Sequence, residues 1–228
     1  MSGPDLRARL AAREGVLMAG VWDALTARLA AGAGFSTVFL SGYCVSGTLL
    51  GVPDFGLLTQ TEVAEVARRV CAAAPGLDVV VDADTGYGNP LNTIRTVQLW
   101  EQAGAAGMFL EDQVWPKRCG HMAGKQVIER ADWLAKLRAA CDHRTTLHVT
   151  ARTDARAAIG LDEAIERAKK EKGVENPLDM GVRLADPSGV MAKFDPADLS
   201  DLLGVSRVEM SSSTAAHEVQ RSEERRVG

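Results

Sequence analysis

The densest chemistry in the chain lies in EDQVWPKRCGH, residues 111 to 121. A lone thiol, Cys119, stands among Lys117, Arg118 and His121. No second cysteine is near enough for a local disulfide or a Cys-x-x-Cys clip. Nearby cations lower a thiol's pKa and favour thiolate, which makes Cys119 a candidate nucleophile or proton carrier. The competing reading is a solvated basic loop with an incidental cysteine.

A second group is acidic. In VDADTGYG, Asp82 and Asp84 are two apart, and strand alternation sends both side chains to one face. Glu111 and Asp112 close the next strand. Carboxylates converging at strand ends suit a hard divalent cation such as Mg²⁺, which takes one or two carboxylates directly and keeps several waters. Equally, such acids cap turns and helix N-termini. Cys119-x-His121 and Cys141-x-His143 offer zinc-type donors, but their spacing matches none of the usual zinc forms. Unrelated core and surface roles are the better reading for the four cysteines.

Short apolar runs alternate with amphipathic helices and supply the frame for these groups. Strands are expected at 16–20, 36–42, 77–84, 107–112 and 147–155. Helices are expected at 22–33, 61–74, 90–104 and 130–142, with a last one from Asp162 to Gly173. Thr59 and Glu62 form a capping box, Asn89 and Pro90 an N-cap and first-turn pair, and Gly104 a stop. YCVSGTLLGVPDFGLL reads as a long loop. LDVVVDAD is almost continuously apolar, as in a parallel strand buried on both faces. The βα order repeats five times, which implies a parallel α/β sheet with right-handed crossovers. No G-x-G-x-x-G follows the first strand. Ser41, Asp82, Asp84, Glu111, Asp112 and Arg152 cluster at strand ends, where barrel enzymes build their sites. The expected fold is therefore a (β/α)8 TIM-type barrel.

The chain's 228 residues suit one large domain. A net charge of −4 argues against a nucleic-acid partner. No apolar run approaches a bilayer span, and MSGPDLRARLAAREG reads as a polar helix rather than a signal peptide. The expected location is the cytoplasm. Residues 1–173 are expected to form the barrel portion. Residues 174–228 form an atypical, partly disordered segment with two weak strand candidates, VRLA and VSRVEM.

SGYCVSGTLLGVPDFGLLT, VDADTGYGN, GAAGMFLEDQ, PKRCGH and ARTDA, in that order, resemble the isocitrate lyase/phosphoenolpyruvate mutase superfamily. The look is that of its 2-methylisocitrate lyase-like branch, over residues 14 to 170. The resemblance implies a barrel enzyme that binds Mg²⁺, or in some members Mn²⁺, and acts on a small-molecule carboxylate. Asp84 matches the principal metal ligand. Asp82 and Glu111 match residues that hold metal-bound waters, and Asp54 one in the outer shell. Ser41, Gly42 and Tyr43 match the segment gripping a substrate carboxylate, and Arg152 an arginine on the substrate. Cys119 matches the catalytic cysteine of the lyases, with Lys117 and His121 in the same catalytic motif and Gly120 on the substrate side. The mutase and phosphonopyruvate hydrolase branches lack KRCGH.

The implied reaction is retro-aldol cleavage of a 2-hydroxy di- or tricarboxylate to a 2-oxo acid and a carboxylate. Two alternatives stand beside it: a carboxyphosphonoenolpyruvate mutase-like phosphonate enzyme, and a truncated, non-catalytic member. Past residue 170 the family pattern is not matched, so the barrel reads as incomplete after the fifth or sixth βα unit. An intact relative is expected to be a homo-oligomer.

Overall fold

The computed structural model describes residues 6–11, 15–120, 122–168 and 180–184. A short helix, α1 (Leu6–Ala11), comes first. Then follow β1 (Met18–Val21), α2 (Ala24–Gly32), β2 (Thr37–Leu40), α3 (Gly42–Val45), α4 (Gln60–Ala73), β3 (Asp78–Asp82), α5 (Pro90–Ala103) and β4 (Gly107–Glu111). The series continues with α6 (Arg130–His143), β5 (His148–Thr153), α7 (Ala155–Ala158), α8 (Leu161–Ala168) and β6 (Met180–Leu184).

All six strands are parallel and pair in chain order. A doubly wound sheet reverses its order at a switch point. Without that reversal, right-handed crossovers carry each connecting helix to the same face. Consecutive helices α2, α4, α5 and α6 accordingly touch in turn. This is the wall of a TIM-type barrel.

The five expected strands are present. The first three residues of the weak candidate VRLA fall in β6, which pairs with β5 from Val149↔Met180 to Thr153↔Leu184. Apart from β6, the expected atypical segment 174–228, including VSRVEM, lies outside the described residues. Thr59 caps α4 in a reciprocal box with Glu62, and Asn89 caps α5 with Pro90 in its first turn. Gly104 ends α5 at φ 91°, a left-handed conformation that glycine adopts without a Cβ penalty.

Two local expectations need correction. Residues 42–50, read as loop, are helical: α3 runs into a π-helical turn at Ser46–Leu50. Thr48 Oγ1 donates to the Cys44 carbonyl at 2.8 Å, the kind of side-chain bond that competes with a helix's own ladder. Asp162 was expected at the N-cap of the last helix, but α8 starts at Leu161, so Asp162 sits inside its first turn. Its charge there still suits the positive end of the helix dipole. Beyond Ala168 that helix lies outside the described residues.

Alternation along the strands makes two apolar layers. Val79 and Val81 of β3, Met108 and Leu110 of β4, and Val149 and Ala151 of β5 pack with the helices. Many helix residues meeting them are small, Ala27, Ala67 and Ala140 among them, which lets helix and sheet approach closely. The intervening residues face inward. Val80 and Phe109 pack there with Phe39, Met18 and Leu6 of α1. Leu6 is 2% exposed, so the "polar" N-terminal helix has one face committed to the barrel floor.

Candidate active site

The inward column changes character at the C-terminal ends of the strands. Register sets the row: Glu111 pairs with Arg152, and the Glu111 N–H donates to the Asp84 carbonyl at 2.8 Å. Asp84, Glu111 and Arg152 therefore stand side by side at one level.

Asp82 and Asp84 do come together, though by a different route from the expected one. β3 ends at Asp82, and Asp84 lies beyond it in a left-handed turn with φ 45°. Aspartate is among the few non-glycine residues that tolerate this region. The Asp84 N–H donates to Asp82 Oδ1 at 3.2 Å. From behind, Lys136 of α6 donates to the Thr85 carbonyl at 3.1 Å and braces the turn. The expected pairing of Glu111 with Asp112 is split by the pleat. Asp112 faces outward, where it accepts from Arg167 of α8 at 3.1 Å and from Thr153 at 2.5 Å.

Three other segments close over the acids. Ser46 Oγ donates to the carbonyls of Val52 and Pro53, which turns the following Asp54 back toward the rim. Lys117 Nζ lies 2.6 Å from Asp54 Oδ2 and 2.8 Å from Asp84 Oδ1. Gly42 abuts Asp82 so closely that a Cβ would sit 3.0 Å from Oδ2. Ser41 caps α3, while the Tyr43 side chain is 59% exposed and stands outside the cluster.

The thiol loop is buried in alternation: Lys117 and Cys119 face in, and Arg118 faces out. Cys119 is 8% exposed, so the thiol lies off the solvated side of a loop whose residues 114–116 and 118 are exposed. Gly120 lies against Arg152, and a Cβ there would be 2.8 Å from Nη2. His121 lies outside the described residues. All four cysteines are free thiols.

Charge in the site is unbalanced. With every group counted as ionised, Asp54, Asp82, Asp84, Glu111 and Asp154 face Lys117, Lys125 and Arg152, a formal surplus of two negative charges. Arg152 Nη1 reaches Glu111 Oε2 at 2.9 Å, but Glu111 Oε1 has no hydrogen-bond partner among the described residues. Burial, reinforced by the Asp82 carboxylate, pushes Asp84 up to about 7 against the pull of Lys117. Burial likewise pushes Glu111 up to about 8, with Arg152 opposing and Asp84 reinforcing. Desolvation lowers Lys117 and Arg152, but the surrounding carboxylates more than reverse it and raise both. Buried carboxylates that resist ionising, with one oxygen orphaned, are what a divalent cation would satisfy. Among the described residues no group of three or more His, Cys, Asp or Glu side chains is gathered that could hold an ion by itself. The two buried rim acids, Asp84 and Glu111, suit an ion that takes one or two carboxylates directly and keeps most of its water.

A family model described as phosphoenolpyruvate phosphomutase matches residues 6–170. The chain belongs to the phosphoenolpyruvate mutase/isocitrate lyase superfamily. Within that superfamily, the probable 2-methylisocitrate lyase 2 of Corynebacterium glutamicum is 48% identical over 195 residues, 85% of this chain and 60% of that protein. The chloroplastic carboxyvinyl-carboxyphosphonate phosphorylmutase of Arabidopsis thaliana is also 48% identical, over 192 residues, 82% of this chain and 54% of that protein. The crystal structure of 2,3-dimethylmalate lyase, trigonal form, matches with a TM-score of 0.72 at 30% identity, over 87% of this chain and 66% of that one. Superfamily members are generally dependent on a divalent metal. The chain spans 52% to 60% of the length of these curated relatives and of two others like them.

Three site residues were given no role by the sequence, although Gln113 and Asp154 lie in motifs quoted above. Gln113, Lys125 and Asp154 are buried and hydrogen-bonded to one another or to the thiol loop. Asp154 was open to detection, because alternation places it on the same side as Arg152, two residues before it.

Proposed function

We propose that this chain carries the active-site rim of a carbon–carbon lyase that cleaves a small 2-hydroxy di- or tricarboxylate of the 2-methylisocitrate type. One observation carries the reading. The loop bearing the buried Cys119 touches both halves of the polar cluster, Asp84 through Lys117 and Arg152 against Gly120.

Asp84 would hold Mg²⁺ (or Mn²⁺), with Asp82 and Glu111 behind it and Asp54 joined through Lys117; the ion would supply Lewis-acid polarisation of the substrate's C2 oxygen. Arg152 places its guanidinium where that oxygen gains charge, and preorganised charge of this kind supplies the largest share of such catalysis. The backbone of Ser41, Gly42 and Tyr43 grips a substrate carboxylate. As the C2 hydroxyl gives its proton to a rim carboxylate, with Glu111 Oε1 open to accept it, and becomes a carbonyl, the adjacent carbon–carbon bond breaks. Its electron pair stays on the carbon next to a carboxylate. Cys119 Sγ–H delivers a proton to that carbon, and in the reverse direction its thiolate removes one. Burial of the Cys119 side chain keeps bulk water from the proton it delivers.

The test is release of a 2-oxo acid from 2-methylisocitrate in the presence of Mg²⁺, with Cys119→Ser as control. Release that is fully retained in the variant would remove Cys119 from the mechanism. A second reading, phosphonate chemistry, has support in the equal identity to the phosphorylmutase. Phosphorus NMR on a carboxyphosphonoenolpyruvate substrate separates the two, since only the second moves a phosphorus resonance.

A further inference from the structure

Lys125 and Asp154 are far apart in sequence and meet inside the protein, with Lys125 Nζ 2.8 Å from Asp154 Oδ1 and side chains 3% and 0% exposed. The same ammonium donates to the Gly120 carbonyl at 2.8 Å. The other carboxylate oxygen, Asp154 Oδ2, accepts from Arg152 Nη2 at 3.1 Å and from Gln113 Nε2 at 3.2 Å. Gln113 in turn binds both backbone groups of Arg118, donating to its carbonyl and accepting from its N–H, each at 3.0 Å. The residues on either side of Cys119 are thus both tied, and both ties end on the one carboxylate that also holds Arg152. An antiparallel bridge between Gln113 and Val127 closes the base of this loop.

Burying an ammonium and a carboxylate costs several kcal/mol per ion, and apolar packing of similar volume stabilises a fold as well or better. What the ion pair adds here is direction. It holds the backbone on both sides of a thiol at a fixed distance from a guanidinium. We propose that Lys125 and Asp154 are positioning residues which, with Gln113, set Cys119 in register with Arg152. This rests on the assignment of Cys119 and Arg152 made under Proposed function.

The test is alkylation of the ligand-free chain by iodoacetamide, followed cysteine by cysteine by mass spectrometry. Cys44, Cys71 and Cys141 serve as internal standards, because none takes part in this network. In Lys125→Met the Cys119 rate rises by about tenfold, as expected when a local restraint is lost, while the standards hold. Lys125→Arg restores protection. An unchanged Cys119 rate in Lys125→Met overturns the proposal. If all four thiols of that variant react alike, it has unfolded, and Lys125→Gln decides. Lys125→Gln keeps a donor for the Gly120 carbonyl without the charge, so partial exposure of Cys119 supports the proposal and wild-type protection overturns it.

Turnover supplies an independent arm. In Lys125→Met, kcat for the 2-hydroxy acid falls while KM holds, and Lys125→Arg recovers kcat. Alkylation needs no catalysis. A chain without lyase activity in which Cys119 still depends on Lys125 rejects the proposed reaction and keeps the positioning role. An active chain indifferent to Lys125 does the reverse.

Discussion

The barrel interior has two ends, and two residues of strand separate them. Along β3 the inward positions are Val80 and then Asp82; along β4 they are Phe109 and then Glu111. That is about 7 Å of chain. The lower position in each strand packs on aromatic rings and on Leu6, with Phe39 and Phe109 edge to face at 5.2 Å. The upper position faces charge. The lower end needs only volume and apolarity, and it adds to stability. The upper end buries more acids than bases, which works against stability and leaves the site short of positive charge.

The strongest way to break this division is Cys119→Ser. Turnover should fall by roughly 10²–10⁴-fold, the range for loss of a general acid, with the melting temperature unchanged. A collapse in melting temperature would mean that the upper end also carries the fold. Phe109→Ala tests the lower end. It should cost about 3–5 kcal/mol in urea unfolding, while KM at low temperature stays at the wild-type value.

Metal binding sharpens the contrast. At ~100 times its dissociation constant, Mg²⁺ should stabilise the chain by about 2.7 kcal/mol, and Glu111→Gln should abolish much of that shift. The metal-free chain has the opposite problem. Folded Asp84 and Glu111 hold their protons to about 7 and about 8, whereas unfolded carboxyls ionise near ~4. Between those limits the folded state binds more protons than the unfolded one, so stability falls as pH rises from ~4 to 8. Glu111→Gln should flatten that slope, read from urea midpoints across the range. The smallest effect belongs to a site outside both ends. Thr59→Ala, which removes the α4 cap, should cost about 1 kcal/mol at neutral pH and leave the metal response intact.

Much of the frame was legible because its signals are local. The Thr59–Glu62 box, the Asn89–Pro90 start and the Gly104 stop are each written within a few residues, and each is where the sequence places it. The helix at 42–50 was not legible, since Gly, Ser and Thr in that stretch imitate a loop and a π-helical turn has no composition of its own. In the site, the acids of the DAD motif and the thiol motif were readable as chemistry. Their meeting was not fully so. Asp84 reaches Asp82 through a left-handed turn instead of the pleat, and Asp112 could have been set aside from Glu111 by alternation alone. The Lys125–Asp154 pair was invisible for another reason: a contact across so many residues leaves no period or spacing to detect.

The helix α1 sits on the barrel floor, where Leu6 packs between Val80 and Phe109 and Arg9 donates to Thr37 and Ser36 at the base of β2. It is the first described element to leave the ribosome, yet its seat is built from strands made later, the last of them β4. At ~5–20 residues per second, Leu6 waits on the order of 5–20 s before Phe109 is even synthesised. The floor of the barrel is therefore completed only once Phe109 has emerged, although Arg9 can be held by Ser36 and Thr37 some seventy residues earlier.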